Sequence, residues 1–316
     1  MSPTSSGESR EGVALTNLDQ PLFDGAGATK RDLVDYLDGV GDRLLPELRD
    51  RPLSVIRVHR GQEAFMQKNV PKYTPDFVRT VQFWAEASKR DVSYALCNDR
   101  RTLLWFANQR AVEYHPTLVR ADRPDHVTHL VLDLDPPDDA GFAMAVRAAR
   151  LVRQALDDVG LQGVVKTSGA KGVHVFVPID ETEAMEDTAA ATRAIAVRAA
   201  ALDPEIATTA FMKEDRDGKV FVDATRVGGA TVVATYSPRV RAGVPVSFPV
   251  SWDDLDHVAP ADFTVRTALG LLDSAGPWLA DLPPGQALPP ELVEQGRSIP
   301  SGRVQAMHEG KRRARK

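Results

Sequence analysis

Three short segments carry residues whose types and spacing suit phosphoryl chemistry: HLVLDLDPP ending at Pro137, KTSGAKGVHVFVP ending at Pro178, and KVFVDATR ending at Arg226. In the first, the apolar run Leu130 to Leu134 reads as a buried strand, with Asp133 and Asp135 two residues apart. Strand side chains alternate between faces, so both carboxylates point the same way. Pro136 and Pro137 end the strand, because proline offers no N–H to a ladder and restricts the residue before it. Two like charges this close repel each other unless a cation sits between them. Aspartates holding a pair of divalent ions are one way to clamp the attacking and leaving oxygens of a phosphoryl transfer. A DxD alone is equally two solvated carboxylates at a strand end, so the neighbouring segments have to decide.

In the second segment a strand-like stretch, Gly163 to Thr167, enters the turn Ser168-Gly169-Ala170-Lys171-Gly172, and a second strand, Val173 to Val177, leaves it. The glycines permit positive φ and close backbone approach, which lets successive N–H groups converge on an anion. Ser168 adds a hydroxyl, Lys171 a point charge, and His174 an imidazole on the face opposite Val173 and Val175. A tight hairpin turn explains the glycines but leaves Ser168, Lys171 and His174 without a purpose, which favours a phosphate cradle. No GxxxxGK[ST] is present, which argues against an ordinary Walker ATPase. The third segment repeats the strand-then-carboxylate layout at Asp223, either a surface aspartate or the third carboxylate of a metal site with Asp133 and Asp135.

The elements that must position these residues can be read from periodicity. Between Asp139 and Gly160, Phe142, Val146, Ala149, Val152, Leu156 and Val159 form one helical face that Gly160 ends, joining the DLD strand to the strand before the turn as a βαβ-like unit. An Ala-rich helix from about Glu183 to Leu202 precedes the Asp223 strand. Earlier, Thr29 caps a helix whose Leu33, Val34, Leu37, Val40, Leu44 and Leu48 fall at helical spacing. Leu53 to Val58 reads as a strand, and Val92 to Trp105 as two short strand-like runs around the turn Asn98-Asp99-Arg100. Residues 1–11 are Ser/Gly-rich and expected to be disordered. A Pro-rich and then basic tail is expected over 284–316, with six Lys/Arg and one acid from Arg303 onward: a solvated tail, or a source of salt-sensitive phosphate contacts.

Composition narrows the class without naming it. The chain has 316 residues, 43% hydrophobic and 26% charged, enough for one large core or two packed lobes. A net charge of −5 argues against indiscriminate wrapping of nucleic acid, so DNA binding would need a local basic groove. The single cysteine, Cys97, excludes an intrachain disulfide and a cysteine zinc cluster and suits a small core residue in a reducing cytoplasm. No apolar run approaches a membrane span, and no signal-peptide core is present, so a soluble, cytoplasmic protein is expected.

The order DLD, SGxKGxH, an apolar strand ending in Asp223, and then Tyr236-Ser237-Pro238-Arg239 resembles the archaeo-eukaryotic primase superfamily. More closely, it is similar to the polymerase domains of bacterial ATP-dependent ligase D and their stand-alone relatives. The likeness runs from Leu15-Thr16-Asn17 to Trp252-Asp253-Asp254-Leu255, too many ordered motifs for chance. The resemblance implies manganese or magnesium, two ions, on Asp133, Asp135 and Asp223. It implies that Ser168, Lys171, His174 and Arg239 hold the triphosphate of an incoming NTP or dNTP, and that His115 lines the nucleotide pocket. It implies DNA contacts from Lys30 at a 5′-phosphate, from Phe65 (paired here with Met66) against a template base, and from Arg57, Lys68 and Arg216. Gln20 stands where the family often has a second lysine, a departure that weakens the case for strong 5′-phosphate recognition.

The expected fold is α+β: a mixed β-sheet catalytic core with flanking helices and a small N-terminal lobe. The catalytic domain is placed at 12–283, the lobe at about 12–120 and the metal and nucleotide core at about 121–283. The expected activity is metal-dependent, DNA-templated nucleotide addition, with ribonucleotides preferred, at gapped or broken DNA ends in bacterial end joining or short-gap repair. The length leaves no room for a ligase or nuclease domain, so a separate ATP-dependent ligase and Ku are the expected partners of a nucleoid-associated monomer. Two other readings stay open: a catalytically weak DNA-end binding module that recruits a ligase, and a DxD phosphohydrolase, for which no hydrolase nucleophile motif is evident.

Overall fold

The computed structural model describes residues 7–59, 61–85, 89–228, 230–274 and 278–301. The chain divides into two compact units: 1–117 with 232–248 and 261–278, and 118–231 with 249–260 and 279–316.

The first unit begins with a short antiparallel pair, β1 (Ser9–Arg10) and β2 (Val13–Ala14). Ser9 and Arg10 are therefore not disordered as expected, because Arg10 is tied by Glu8, Asp35 and Asp38; residues 1–6 lie outside the described residues. Helix α1 (Lys30–Leu48) starts at the expected cap, where Thr29 and Asp32 form a capping box, and all six periodic residues are buried. Strand β3 (Leu53–Arg57) then pairs antiparallel with β4 (Phe65–Gln67). β5 (Thr80–Ala85) and β6 (Arg90–Ala95) form a hairpin that touches β3 through Leu53 and Ala95. The second strand-like run around Asn98 is instead helix α2 (Arg100–Asn108). Asp99 accepts a hydrogen bond from the Thr102 N–H at 2.7 Å, and this cap turns an ambiguous apolar run into a helix that buries Leu103, Leu104 and Phe106.

Strand β7 (Ala111–Pro116) returns to β3. Residues 232–248 belong here too, rather than with the later core, because the Ala234 N–H donates to the Tyr114 carbonyl, the Tyr114 N–H donates to Ser237 Oγ, and Tyr36 donates to the Tyr236 carbonyl.

The second unit opens with β8 (Val119–Arg120) paired to β9 (Arg123–Val127). Its main sheet uses β10 (His129–Asp135), β11 (Val164–Thr167), β12 (Val173–Pro178), β13 (Ala207–Thr208), β14 (Val220–Asp223) and β15 (Pro249–Val250), in the order β13-β14-β10-β12-β11-β15. Helix α3 (Phe142–Asp157) links β10 to β11 as expected, but β12 is inserted antiparallel between them, so the βαβ unit is split. α3 and α4 (Met185–Leu202) share one core with a single face of the sheet, made of Leu130, Leu132, Leu134, Val165, Val173, Val175, Val220 and Val222. Period-two alternation sends every intervening residue of these strands to the other face.

After a single turn, α5 (Trp278–Asp281), helix α6 (Pro290–Arg297) buries Leu292 and Val293 in that core. Arg193 on α4 donates to the carbonyls of Gly296 and Ile299. The fold thus continues past residue 283, into the segment expected to be tail; 302–316, with its basic run, lies outside the described residues. Among the described residues no helix is long and apolar enough to cross a membrane.

Candidate active site

The ladder of the second unit assembles the first group of candidate residues. Asp133 on β10 lies in register with Asp223 on β14 at one side and His174 on β12 at the other, and His174 is in register with Lys166 on β11. Residues directly opposed on antiparallel strands share a face. Asp223, Asp133, His174 and Lys166 therefore form one row across four strands, on the face away from α3 and α4. Lys166 was not singled out from the sequence, although a lysine alternating with the apolar Val165 was its signal.

Each member of the row has defined partners. Asp133 Oδ1 is 3.2 Å from His174 Nε2, and Asp133 Oδ2 accepts from Arg226 Nη2 at 2.8 Å. The same Arg226 nitrogen is 3.2 Å from Asp223 Oδ2, while Asp223 Oδ1 accepts from the Thr225 N–H at 2.8 Å and the Thr225 hydroxyl at 2.6 Å. Burial opposes ionisation of Asp133, but His174 and Arg226 outweigh it and hold the carboxyl well below the usual carboxylate range. Lys166 is fully buried, its Nζ 5.5 Å from the centroid of the Phe176 ring.

Asp135 faces a different set. Its oxygens lie 3.6 Å from Lys171 Nζ and 3.5 Å from Arg216 Nη1. Arg216, expected among the DNA contacts, sits 4.0 Å over the Phe221 ring and donates to the carbonyls of Ala210 and Phe211, beside the aspartates. Asp138 accepts from Lys171 at 2.8 Å and from Lys213 at 2.5 Å, and these two ammonium groups depress its carboxyl to about 2. Lys213, absent from the sequence-derived set, is thereby drawn to the same cluster.

The turn is closed from within. Ser168 Oγ accepts from the N–H groups of Ala170 and Gly172, and the Ser168 N–H donates to the Gly172 carbonyl. Those N–H groups are thus directed at the turn's own hydroxyl rather than converging on an outside anion, and the turn offers the Lys171 ammonium instead. Its glycines serve separate ends: Gly169 has a φ of +67°, whereas a Cβ on Gly172 would lie 2.3 Å from the Leu134 carbonyl oxygen.

The three aspartates are brought to one strand end, though not as a closed cage. Among the described residues no three His, Cys, Asp or Glu side chains converge as a ready metal site. Asp133 and Asp223 are joined through Arg226, and Asp135 is turned to Lys171 and Arg216. The donors are hard carboxylate oxygens and the pair already gathers a cationic group, so these residues fit a manganese or magnesium ion.

In the first unit, His115 and Arg239 meet on Glu113, which the sequence reading passed over. Glu113 Oε2 is 2.8 Å from His115 Nε2 and 3.0 Å from Arg239 Nε, and Glu113 Oε1 accepts from the Val240 N–H at 2.8 Å. Burial raises the Glu113 pKa, but His115 and Arg239 reverse the effect and leave it lowered. Its signal in the sequence was the i, i+2 spacing with His115 on β7.

The expected DNA contacts of this unit are mixed. Phe65 is 38% exposed, stacked on His59 at 5.3 Å, and Lys68 is exposed, both as a strand-binding surface needs. Arg57 is buried, with its guanidinium donating to the Gln109 carbonyl, Gln67 and Tyr73, so it braces β4 and does not face solvent. Lys30 is also turned inward: its Nζ donates to the Thr16 carbonyl at 2.6 Å and to Asn108 Oδ1 at 2.7 Å. Burial, with Arg110 nearby, lowers its pKa to about 8. Gln20, in contrast, lines a cleft of about 600 Å³ together with His59 and Arg110.

Comparison with known proteins is consistent over most of the chain. Residues 29–278 match the family described as LigD, primase-polymerase domain. The chain is 35% identical over 271 residues to the bifunctional non-homologous end joining protein LigD of Bacillus subtilis, covering 84% of this chain and 43% of that protein. It is 33% identical over 262 residues to the multifunctional non-homologous end joining DNA repair protein LigD of Mycobacterium tuberculosis, covering 79% and 34%. The chain thus spans less than half the length of these relatives. Among solved structures, the polymerase domain from Mycobacterium tuberculosis ligase D in complex with DNA superposes with a TM-score of 0.76 at 32% identity, covering 86% of this chain and 99% of that one.

Proposed function

Because the chain belongs to the LigD primase-polymerase family, we propose that it is a metal-dependent nucleotidyltransferase that extends a DNA primer end opposite a template. It would use NTPs and dNTPs with ribonucleotides preferred, at gapped or broken ends awaiting end joining. The observation that carries this reading is the cross-strand row Asp223, Asp133, His174 and Lys166, with Lys171 at the adjoining turn. Acidic and basic groups held at one rigid strand end suit a reaction in which a cation and a polyphosphate must meet.

Asp133, Asp135 and Asp223 would hold manganese or magnesium, whose charge when bound stabilises the attacking and leaving oxygens. Lys171 and Lys213 are held together by Asp138 and supply ammonium groups for the triphosphate, while Ser168 fixes the turn that aims Lys171. His174, buried against Asp133, is oriented by it and donates toward phosphate. For Arg239 and His115 the nucleotide role rests on the family resemblance, and Glu113 fixes both side chains. The relatives' names support a setting in non-homologous end joining.

The test is labelled nucleotide addition to a primed, gapped duplex with and without Mn²⁺. The parent protein should extend the primer only with the metal. Asp133→Ala and Asp135→Ala should each abolish extension while leaving duplex binding intact. Extension by either variant at the parent rate would refute the assignment. DNA binding by the parent with no extension at all would favour an end-binding module.

A further inference from the structure

We propose that Arg226 is a built-in counter-cation of the aspartate pair, competing with the divalent ion for Asp133 and Asp223 and so setting how tightly the nucleotide-free protein binds metal. The inference rests on the reading of these aspartates as metal ligands. It starts from the ladder: Asp133 and Asp223 are directly opposed on β10 and β14, where two carboxylates destabilise the pairing unless a positive charge lies between them.

The hydrogen bonds divide the four carboxylate oxygens into two classes. Asp133 Oδ1 is taken by His174, and Asp223 Oδ1 by Thr225. The remaining two, Asp133 Oδ2 and Asp223 Oδ2, converge on one nitrogen of Arg226, at 2.8 and 3.2 Å. A divalent ion held by the two aspartates would need carboxylate oxygens that Arg226 now occupies, so guanidinium and metal would compete there. Nothing in the placement of Arg226 prevents the exchange. It lies three residues beyond Asp223, past the end of β14, and its side chain is 36% exposed, which leaves the guanidinium a route to solvent.

Two consequences follow. Removing the charge should strengthen metal binding, and metal binding should free the guanidinium. In Mn²⁺ titrations of the full chain without nucleotide or DNA, read by the electron paramagnetic resonance of free Mn²⁺, Arg226→Gln should bind about tenfold more tightly than the parent. Arg226→Lys, which keeps the charge on a shorter side chain without the planar guanidinium, should fall between them. Without metal, Arg226→Gln should melt below the parent, and Mn²⁺ should raise its Tm by more than it raises the parent's.

A second measurement needs no variant. Modification of Arg226 by phenylglyoxal, followed by mass spectrometry, should become faster when Mn²⁺ is added to the parent. Equal or weaker Mn²⁺ affinity in Arg226→Gln, or Arg226 reactivity unchanged or slowed by Mn²⁺, would overturn the proposal. If Asp133→Asn left the parent's Mn²⁺ affinity unaltered, the ligand assignment itself would fall and the proposal with it, an outcome distinguishable from competition alone being absent.

Discussion

Gly172→Ala is the substitution that most directly probes how the phosphate turn is locked to the carboxylate strand. Gly172 is needed for close approach, because a Cβ there would meet the Leu134 carbonyl oxygen at 2.3 Å, with Pro136 Cδ also near at 3.6 Å. Backbone cannot rotate aside as a flexible side chain can, so relief requires the turn and β10 to part by about 1 Å to reach ordinary contact. Overpacking of this kind costs about 1–3 kcal/mol, offset by ~0.5 kcal/mol from the stiffer unfolded chain. For a chain of this size that corresponds to a Tm lower by roughly 1–4 °C.

The functional loss should be larger than the loss in stability. The same displacement moves Lys171 relative to Asp133 and Asp135, and a misplacement of about 1 Å is enough to slow a positioned reaction ~100-fold. Differential scanning calorimetry and single-turnover nucleotide addition would measure both, with Gly270→Ala as the control, since a Cβ there meets nothing within 4 Å. A Gly172→Ala protein that melts with the parent and adds nucleotide at the parent rate would refute the argument that turn and strand are positioned as one body.

The remaining expectations concern other parts of the molecule. Glu113→Gln should destabilise the fold by about 3 kcal/mol at pH 7, because it removes the buried carboxylate that faces both Arg239 and His115. The native Glu113 pKa is lowered, so this advantage of the parent is complete above the unfolded value near 4.5 and is lost as pH falls below it; chemical denaturation at pH 7 and pH 3.5 would show a narrowing gap, and a constant gap would contradict it. Gly296→Ala should loosen α6, since a Cβ there would lie 1.8 Å from the Ala190 carbonyl oxygen, and limited proteolysis should then cut near residue 290 sooner than in the parent. Gln20→Lys puts an ammonium on the cleft shared with His59 and Arg110, and should raise the preference for 5′-phosphorylated over 5′-hydroxyl gaps by roughly five- to thirty-fold at low salt. Titrations on matched duplexes would check it, and an unchanged preference would place the phosphate elsewhere.

The sequence by itself determined the local pieces of the site. Helices α1 and α3 were legible from apolar spacing and from Thr29 and Gly160, α4 from its alanine content, and strands β10, β11, β12 and β14 from apolar runs bounded by proline, glycine or aspartate. These signals are local, because they depend on 3.6- and 2-residue periods and on caps. Family resemblance joins Asp133 and Asp135 to Asp223, about ninety positions further along the chain. What only the tertiary structure decided is who stands beside whom. The register that sets Asp223, Asp133, His174 and Lys166 in one row depends on pairing among four strands, and shifting one strand by a single residue would turn its member of the row to the other face. The same holds for Glu113 meeting Arg239, for Asp138 drawing in Lys213, and for the inward turn of Lys30 and Arg57. Charged side chains look alike in a sequence, and whether each is a solvated charge, a brace or a ligand is settled by the long-range contacts that fix its desolvation and its partners.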